Sequence, residues 1–200
     1  MINKELIKRV FSSLVLIPIA LFFIIKWGIL FIFFISICFL IASYEWHKLS
    51  KKKLYYIPGF LFLILSFYST YAIRIDSNSG LEYFLIILLI CISTDLGGYI
   101  FGKILKGPRL TKISPKKTYS GVVGGYLLSI IFFYLFFNST YYSYTSEMTP
   151  YFFIFILLTS TVSQLGDITI SYFKRLSKIK DTGKIIPGHG GLLDRIDGMI

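Results

Sequence analysis

Charged residues are scarce in this sequence. Only 16% of its 200 residues are Asp, Glu, Lys or Arg, whereas about a quarter are charged in a typical water-soluble domain. Hydrophobic residues make up 55% of the chain, and the aromatic ones lie in runs such as FFIIKWGILFIFF at 22–34. These features exclude a soluble protein and predict one membrane-embedded unit, with no room for a separate soluble domain.

Cysteine is also rare, and the sequence has no Cys/His cluster with the spacing of a zinc site. The two cysteines, Cys38 and Cys91, each lie within an apolar run. We therefore expect buried free thiols rather than a disulfide or a pair of metal ligands.

Acidic residues are outnumbered, with 10 Asp and Glu against 21 Lys and Arg and a net charge of +11. In a membrane protein this excess indicates membrane orientation and contact with anionic lipid. The sequence contains no nucleic-acid-binding motif, and its aromatic residues are concentrated in apolar runs rather than among the basic groups. We expect no nucleic-acid partner.

Six apolar runs are long enough to predict spanning helices of about 20 residues each. They lie at roughly 10–25, 28–44, 55–73, 82–101, 121–138 and 151–173. The first two runs predict a tight hairpin, because one continuous apolar helix would overshoot the bilayer. The basic N-terminus is followed by no small-x-small cleavage site, which predicts a retained first helix.

The predicted fold class is therefore all-α, a polytopic transmembrane helical bundle of about six spans with cytoplasmic catalytic loops. We expect a single integral-membrane domain over 1–200, with N-terminal helices in 1–80 and the catalytic helices and tail in 81–200. The basic clusters fall on one side if both ends are cytoplasmic, and only Lys26 and Arg74 fall outside. This predicts a multi-pass protein of the inner (cytoplasmic) membrane with its active site on the cytoplasmic side.

Two aspartates lie inside predicted spans, where a carboxylate costs about 2.5–3.5 kcal/mol unless it is paired or hydrated. At the rise of an α-helix, Asp95 is about 20 Å and Asp167 about 24 Å from the outer end of its span. Both would lie near the cytoplasmic edge, at about the depth of a lipid phosphate. One interpretation is a helix-end carboxylate paired with a nearby lysine; we favour a functional site, because both lie at one depth beside basic loops.

Helical spacing supports this site. Ser163, Asp167, Ser171 and Lys174 share one polar face of an otherwise apolar helix. The loop 114–118 combines lysines and hydroxyl groups before a helix, which suits phosphate oxygens, although such charge also occurs simply to set topology. These patterns indicate chemistry on a lipid head group.

The tail has a glycine-rich turn, Pro187-Gly188-His189-Gly190-Gly191, followed by two carboxylates three residues apart. Asp194 and Asp197 lie on one side of a helix and can share a divalent cation, and oxygen-only ligands favour Mg²⁺ over Zn²⁺. His189 has three open interpretations: a catalytic acid or base, a donor to phosphate, or a turn residue.

The string SYFKRLSKIKDTGKIIPGHGGLLDRID, from Ser171 to Asp197, resembles the signature of the phosphatidate cytidylyltransferases, also called CDP-diacylglycerol synthases. The segments DLGGYIFGK from Asp95 and SPKKTYSG from Ser114 are also similar to that family, and Tyr44-Glu45-Trp46 matches it more loosely. The resemblance implies that CTP and phosphatidate in the membrane give CDP-diacylglycerol and pyrophosphate with Mg²⁺. K⁺ is a second cation associated with the family's site.

The resemblance also implies roles for residues. Asp167 and Asp194 match the metal-holding positions. The residues that we expect to be catalytic are Asp167, Ser171, Lys174, His189, Asp194 and Asp197. Those expected to bind substrate are Asp95, Ser114, Lys116, Lys117, Thr118, Arg175, Lys180 and Arg195. Family members continue into a final helix, so a chain that stops at Ile200 is expected to be a fragment or a short form.

Several alternatives stay open. A cytidylyltransferase for another lipid phosphate, such as an isoprenoid one, would share this signature. An ion-coupled transporter could use Asp95 and Asp167 as a cation pathway, but it should continue its polar residues into the outer halves of the spans, which are almost wholly apolar. A non-catalytic scaffold would not explain the matching charged residues. A homodimer is one option for the assembly.

Overall fold

The structure is a computed structural model that describes residues 4–26, 28–75, 79–111, 114, 117–141 and 150–200, with the side chains of 4–6 and 138–141 left out. Its helices are α1 (Lys4–Ile25), α2 (Ile29–Ser50), α3 (Tyr56–Ile75), α4 (Gly80–Leu105), α5 (Tyr119–Tyr141), α6 (Pro150–Leu176) and the short α7 (Leu193–Ile196). The first six are long and apolar enough to cross a membrane. The all-α, six-span prediction is confirmed, and α1 and α2 are separate helices as the hairpin interpretation requires.

The chain forms two compact units. The first contains Met1–Tyr83, Phe173–Gly198 and Ile200, and the second contains Phe84–Tyr172 and Met199. The last turn of α6 therefore belongs to the first unit, together with the glycine-rich tail.

In the first unit, α2 packs against α1, α3 and α7. Trp46 anchors the end of α2: its side chain is buried, its ring meets the ring of Phe173 edge-on, and its indole N–H donates to the carbonyl of Tyr56 at 3.1 Å. A side chain at Gly59 would overlap the indole, so the start of α3 can approach only because this position is glycine. The end of α2 is therefore held from two directions.

At the other end of this unit, a buried arginine at the end of α3 contacts the end of α1. The guanidinium of Arg74 donates to the carbonyls of Ile24 at 3.0 Å and Ile25 at 3.3 Å. These carbonyls belong to the last turn of α1, which has no partners for them within the helix. This contact explains why one of the two basic residues outside the cytoplasmic clusters lies at this position.

In the second unit, α4 and α5 meet through glycines. A side chain at Gly97 would overlap the carbonyl oxygen of Gly124, and one at Gly121 would lie 2.8 Å from the carbonyl oxygen of Gly98. Glycine has no Cβ, so the two backbones can touch. Apolar residues pack at the opposite end of α4 and α5, where Ile86, Ile90, Phe133 and Phe137 form a cluster with Ile156 of α6.

Hydroxyl groups join α4 and α5 to α6. Thr94 on α4 donates to Ser160 on α6 at 2.9 Å, and the hydroxyls of Tyr126 on α5 and Thr161 on α6 are 2.8 Å apart. Polar groups in a bilayer need such partners, because lipid offers none. The predicted free thiols are also present, with Cys91 buried and Cys38 partly buried.

Candidate active site

An ion pair lies at the aspartate that the sequence singled out on α6. The ammonium of Lys117 is 2.5 Å from the carboxylate of Asp167, and both side chains are about a quarter exposed, at 24% and 28%. Asp95 is close enough to interact electrostatically with both of them. The second unit thus brings together two predicted carboxylates and one predicted phosphate-binding lysine, and the lysine pairing considered from the sequence is part of the same cluster.

The loop before α5 is organised by hydroxyl groups. The amide of Gly121 donates to the hydroxyl of Thr118 at 3.1 Å, so Thr118 caps the start of α5. The amide of Ser114 donates to the hydroxyl of Thr111 at 3.1 Å. Lys116, a predicted substrate-binding residue, lies outside the described residues.

A second lysine–carboxylate pair lies in the first unit. The ammonium of Lys174, in the last turn of α6, donates to Asp194 Oδ1 at 2.8 Å, and these side chains are only 12% and 4% exposed. Asp194 Oδ2 accepts the backbone amides of Thr182 at 2.8 Å and Gly191 at 3.0 Å. The spacing of the signature therefore folds its lysine, its loop and its aspartate into one cluster.

The environment of Asp194 acts on its charge in two directions. Burial raises the pKa of this carboxyl group, but the hydrogen bonds from Lys174 and from the amides of Thr182 and Gly191 outweigh burial, and the pKa lies below its ordinary value. Asp194 is therefore ionised at neutral pH and can hold the Lys174 ammonium in place.

Glu45 on α2 belongs to the same cluster, and sequence reasoning gave it no role. Its side chain is 1% exposed. One carboxylate oxygen accepts the amide of Leu192 at 2.9 Å, and the other accepts the amide of Leu193 and the hydroxyl of Thr182, both at 2.8 Å. A signal was present, because an acidic residue directly after the apolar run 28–44 calls for the same explanation as Asp95.

The structure also shows what His189 contacts. Its Nδ1 is 2.8 Å from the hydroxyl of Ser12, and its Nε2 is 3.3 Å from the hydroxyl of Ser13, both on α1. Arg9 and Ser12 add hydrogen bonds to the carbonyls of Gly188 and Pro187. Because both ring nitrogens have partners on α1, this geometry favours the third interpretation, a residue that holds the turn.

The remaining predicted residues are less enclosed. Arg175, Lys180 and Arg195 are exposed, whereas Ser171 and Asp197 are partly buried. Arg195 also donates to the carbonyl of His189 at 2.7 Å. Asp167 and Asp194 belong to different compact units, so their joint binding of a cation stays a prediction.

The donor chemistry fits magnesium. Within the described ranges, no group of three or more His, Cys, Asp and Glu side chains could enclose a metal ion. Mg²⁺ does not need such a cage, since it is usually held by one or two carboxylates together with substrate phosphates. Asp95 and Asp167 offer carboxylate oxygens. Within the described residues, the one hydrogen bond to Asp194 Oδ1 comes from the Lys174 ammonium. Carboxylate oxygens are ligands that suit Mg²⁺ rather than Zn²⁺.

Comparison with known proteins gives a consistent result. A model of the cytidylyltransferase family matches residues 54–200. The chain is 36% identical over 207 residues to the phosphatidate cytidylyltransferase of Rickettsia bellii, with 99% of this chain and 87% of that protein covered. It is 35% identical to the protein of the same name from Rickettsia conorii, covering 96% of this chain and 85% of that protein. For the Staphylococcus haemolyticus protein of that name, identity is 35% over 83% of this chain and 64% of the relative.

Proposed function

The chain belongs to the cytidylyltransferase family, and from this premise we propose that it transfers the cytidylyl group of CTP to phosphatidate, giving CDP-diacylglycerol and pyrophosphate. The observation that carries the proposal is similarity along nearly the whole chain to relatives that are named phosphatidate cytidylyltransferase. The two lysine–carboxylate pairs support it, because each holds an ammonium group of the kind that donates to phosphate oxygens.

The reaction is a displacement at phosphorus. An anionic oxygen of phosphatidate attacks the α-phosphorus of CTP and forms a new P–O bond. The bond from the α-phosphorus to the oxygen that bridges to the β-phosphate breaks, and pyrophosphate leaves with the electron pair. The attacking oxygen is already an anion, so the protein needs no strong base, and it contributes positioning and neutralisation of charge.

In this proposal, lysine side chains provide most of the positioning and charge neutralisation. Lys117 and Lys174 are each held by a carboxylate, so each ammonium has a defined position from which to donate to phosphate oxygens. Arg175, Lys180 and Arg195 are exposed, and we assign them to the pyrophosphate portion of CTP. Lys116, Ser114 and Thr118 keep their predicted role in binding phosphate.

We further propose that Asp167 and Asp194 hold Mg²⁺, with Asp95 beside Asp167. When bound, Mg²⁺ would polarise the phosphates and offset the negative charge of the triphosphate. K⁺ as a second cation stays a prediction.

The chain is a multi-pass membrane protein. We propose that it lies in a bacterial inner membrane with its active site on the cytoplasmic side. The support is the distribution of basic residues, which cluster in the loops expected inside, and the solubility of CTP. A homodimer and the absence of a nucleic-acid partner likewise stay predictions.

The ion-coupled transporter finds no support. The matched family and the named relatives are cytidylyltransferases. The nearest alternative is a cytidylyltransferase for another lipid phosphate, because the signature does not define the acyl-chain pocket.

An assay with labelled CTP tests the function. The purified chain in detergent micelles receives CTP that carries a radiolabel in the cytidine, together with phosphatidate, an isoprenoid phosphate or no lipid. We expect label in the chloroform-soluble product only with phosphatidate and only when Mg²⁺ is present. Incorporation with the isoprenoid phosphate alone would establish the alternative substrate, and no incorporation with either lipid would overturn the proposed function.

A further inference from the structure

Glu45 is a carboxylate buried against the signature loop from a distant helix. It lies near the cytoplasmic end expected for α2, and its three hydrogen-bond donors come from residues 137 to 148 positions later in the chain. A buried carboxylate is costly unless donors satisfy its oxygens. Glu45 has them, because the loop turns two consecutive amides and one hydroxyl towards it.

Two glycines of the signature make room for this carboxylate. A side chain at Gly183 would lie 2.6 Å from one oxygen of Glu45, and one at Gly191 would lie 2.5 Å from the other. Neither glycine has a positive φ angle, so backbone conformation does not demand glycine at these positions. Close contact with Glu45 provides the physical reason at Gly183, and close contact with both Glu45 and the hydroxyl of Thr182 provides it at Gly191.

The same loop also serves Asp194. Thr182 donates its amide to Asp194 and its hydroxyl to Glu45, and this hydroxyl is also 3.1 Å from Asp194. A hydroxyl has one hydrogen, so it can donate to only one of the two carboxylates at a time. Glu45 and Asp194 are therefore coupled through Thr182, and Asp194 in turn holds the ammonium of Lys174.

We propose that Glu45 is a positioning residue for cytidylyl transfer, which fixes the loop 182–193 so that Asp194 and Lys174 keep the orientation that the reaction needs. This inference rests on the proposed function. Glu45 touches no substrate in this account and acts through Thr182 and through the amides of Leu192 and Leu193. Small displacements of reacting groups are costly to turnover, on the order of a hundredfold for about 1 Å.

The central test is Glu45→Gln, which keeps the size of the side chain but replaces one acceptor oxygen with an NH₂ group that would face a backbone N–H. For folded enzyme, we expect kcat for CDP-diacylglycerol formation to fall about 10- to 100-fold, with KM for phosphatidate within about threefold of the parent value. If Glu45 had only a structural role, the variant would give less folded protein but an unchanged kcat per folded molecule. The matched control is Ser50→Ala, which removes a buried hydroxyl of α2 whose hydrogen bond, among the residues that the structure describes, is to Trp46 of its own helix. Its kcat should be unchanged.

Thr182 keeps the inference testable if Glu45→Gln does not fold. Thr182→Val removes the shared hydroxyl with little change of shape and should lower kcat, whereas Thr182→Ser retains the hydroxyl and should preserve kcat. The Glu45→Gln/Thr182→Val double variant should be little slower than Glu45→Gln alone, because both changes disrupt the same hydrogen bond between Thr182 and Glu45.

The outcomes separate the two proposals. If the unmodified chain makes no CDP-diacylglycerol, the proposed function fails and this inference fails with it. If the unmodified chain is active and both Glu45→Gln and Thr182→Val keep full kcat per folded molecule, only the positioning role is overturned. Coupling through Thr182 would also be contradicted if the fold-decrease in kcat of the double variant equalled the product of the fold-decreases of the two single variants.

Discussion

Asp194 shows at the scale of one residue how the signature stabilises a buried charge. Its carboxylate is 4% exposed and accepts hydrogen bonds from Lys174 and from two backbone amides. An isolated carboxylate in such a position would be strongly destabilising. Here its partners lower the pKa below the ordinary value in spite of burial, so the ionised form is linked to folding of the tail.

This linkage predicts a dependence of stability on pH. The folded-state pKa of Asp194 is depressed, so its stabilising contribution is fully present above the unfolded-state pKa of about 4 and is lost as pH falls through the lower folded-state value. Asp194→Asn should lower the thermal midpoint at pH 7 and should reduce the loss of stability on acidification. Thermal unfolding in detergent between neutral and acidic pH measures both effects.

The control for this experiment is Asp181→Asn, at an exposed carboxylate in the same loop. It should keep the acid dependence of the parent chain. A parent and an Asp194→Asn variant that lose stability in parallel as pH falls would contradict the assigned role of this carboxylate.

At the scale of helices, the contact between α4 and α5 depends on which face each glycine occupies. Gly97 faces the backbone of α5, where a side chain would overlap the carbonyl oxygen of Gly124. Gly98 is its neighbour in sequence, yet a side chain there would come no nearer than 3.8 Å to the carbonyl oxygen of Gly121. Because Asp95 lies on α4 and Lys117 lies just before α5, this contact also sets the spacing of the carboxylate cluster.

The pair of glycines gives a matched experiment. Gly97→Ala should force the helices apart and cost about 1–3 kcal/mol or more, with a lower thermal midpoint and lower turnover. Gly98→Ala should fold normally, since the added methyl group has room and alanine favours a helix over glycine. Thermal unfolding and the CTP assay on both variants measure the difference, and equal behaviour of the two variants would contradict the packing described for α4 and α5.

The helices themselves could be predicted well from the sequence, and some of their contacts could not. Apolar runs are local and long, so they located all six spans, and an aspartate within such a run marked Asp95 and Asp167. The partners of Glu45 lie more than 130 residues away, and no local pattern pairs them. His189 was left with three interpretations for the same reason, because its contacts with Ser12 and Ser13 exist only after α1 and the tail have folded together.

At the scale of the whole molecule, the predicted catalytic and substrate-binding residues are divided between two compact units. Asp95, Lys117 and Asp167 belong to one unit, and Lys174 and Asp194 belong to the other. The helix α6 contributes residues to both units, and its Asp167 and Lys174 are seven residues apart in the sequence. The central claim is that cytidylyl transfer requires carboxylates of both units, so removal of Asp167 or of Asp194 should stop the reaction.

The most direct measurement of this claim is CDP-diacylglycerol formation by Asp167→Asn over a range of Mg²⁺ concentrations. The variant keeps the size of the side chain and the folded protein should still reach the membrane, but turnover should be abolished at every Mg²⁺ concentration. The matched control is Thr169→Ala, at an exposed hydroxyl on the same helix that donates to the carbonyl of Leu165, one turn earlier in α6, and it should keep the parent rate. Near-normal turnover by folded Asp167→Asn would contradict the account.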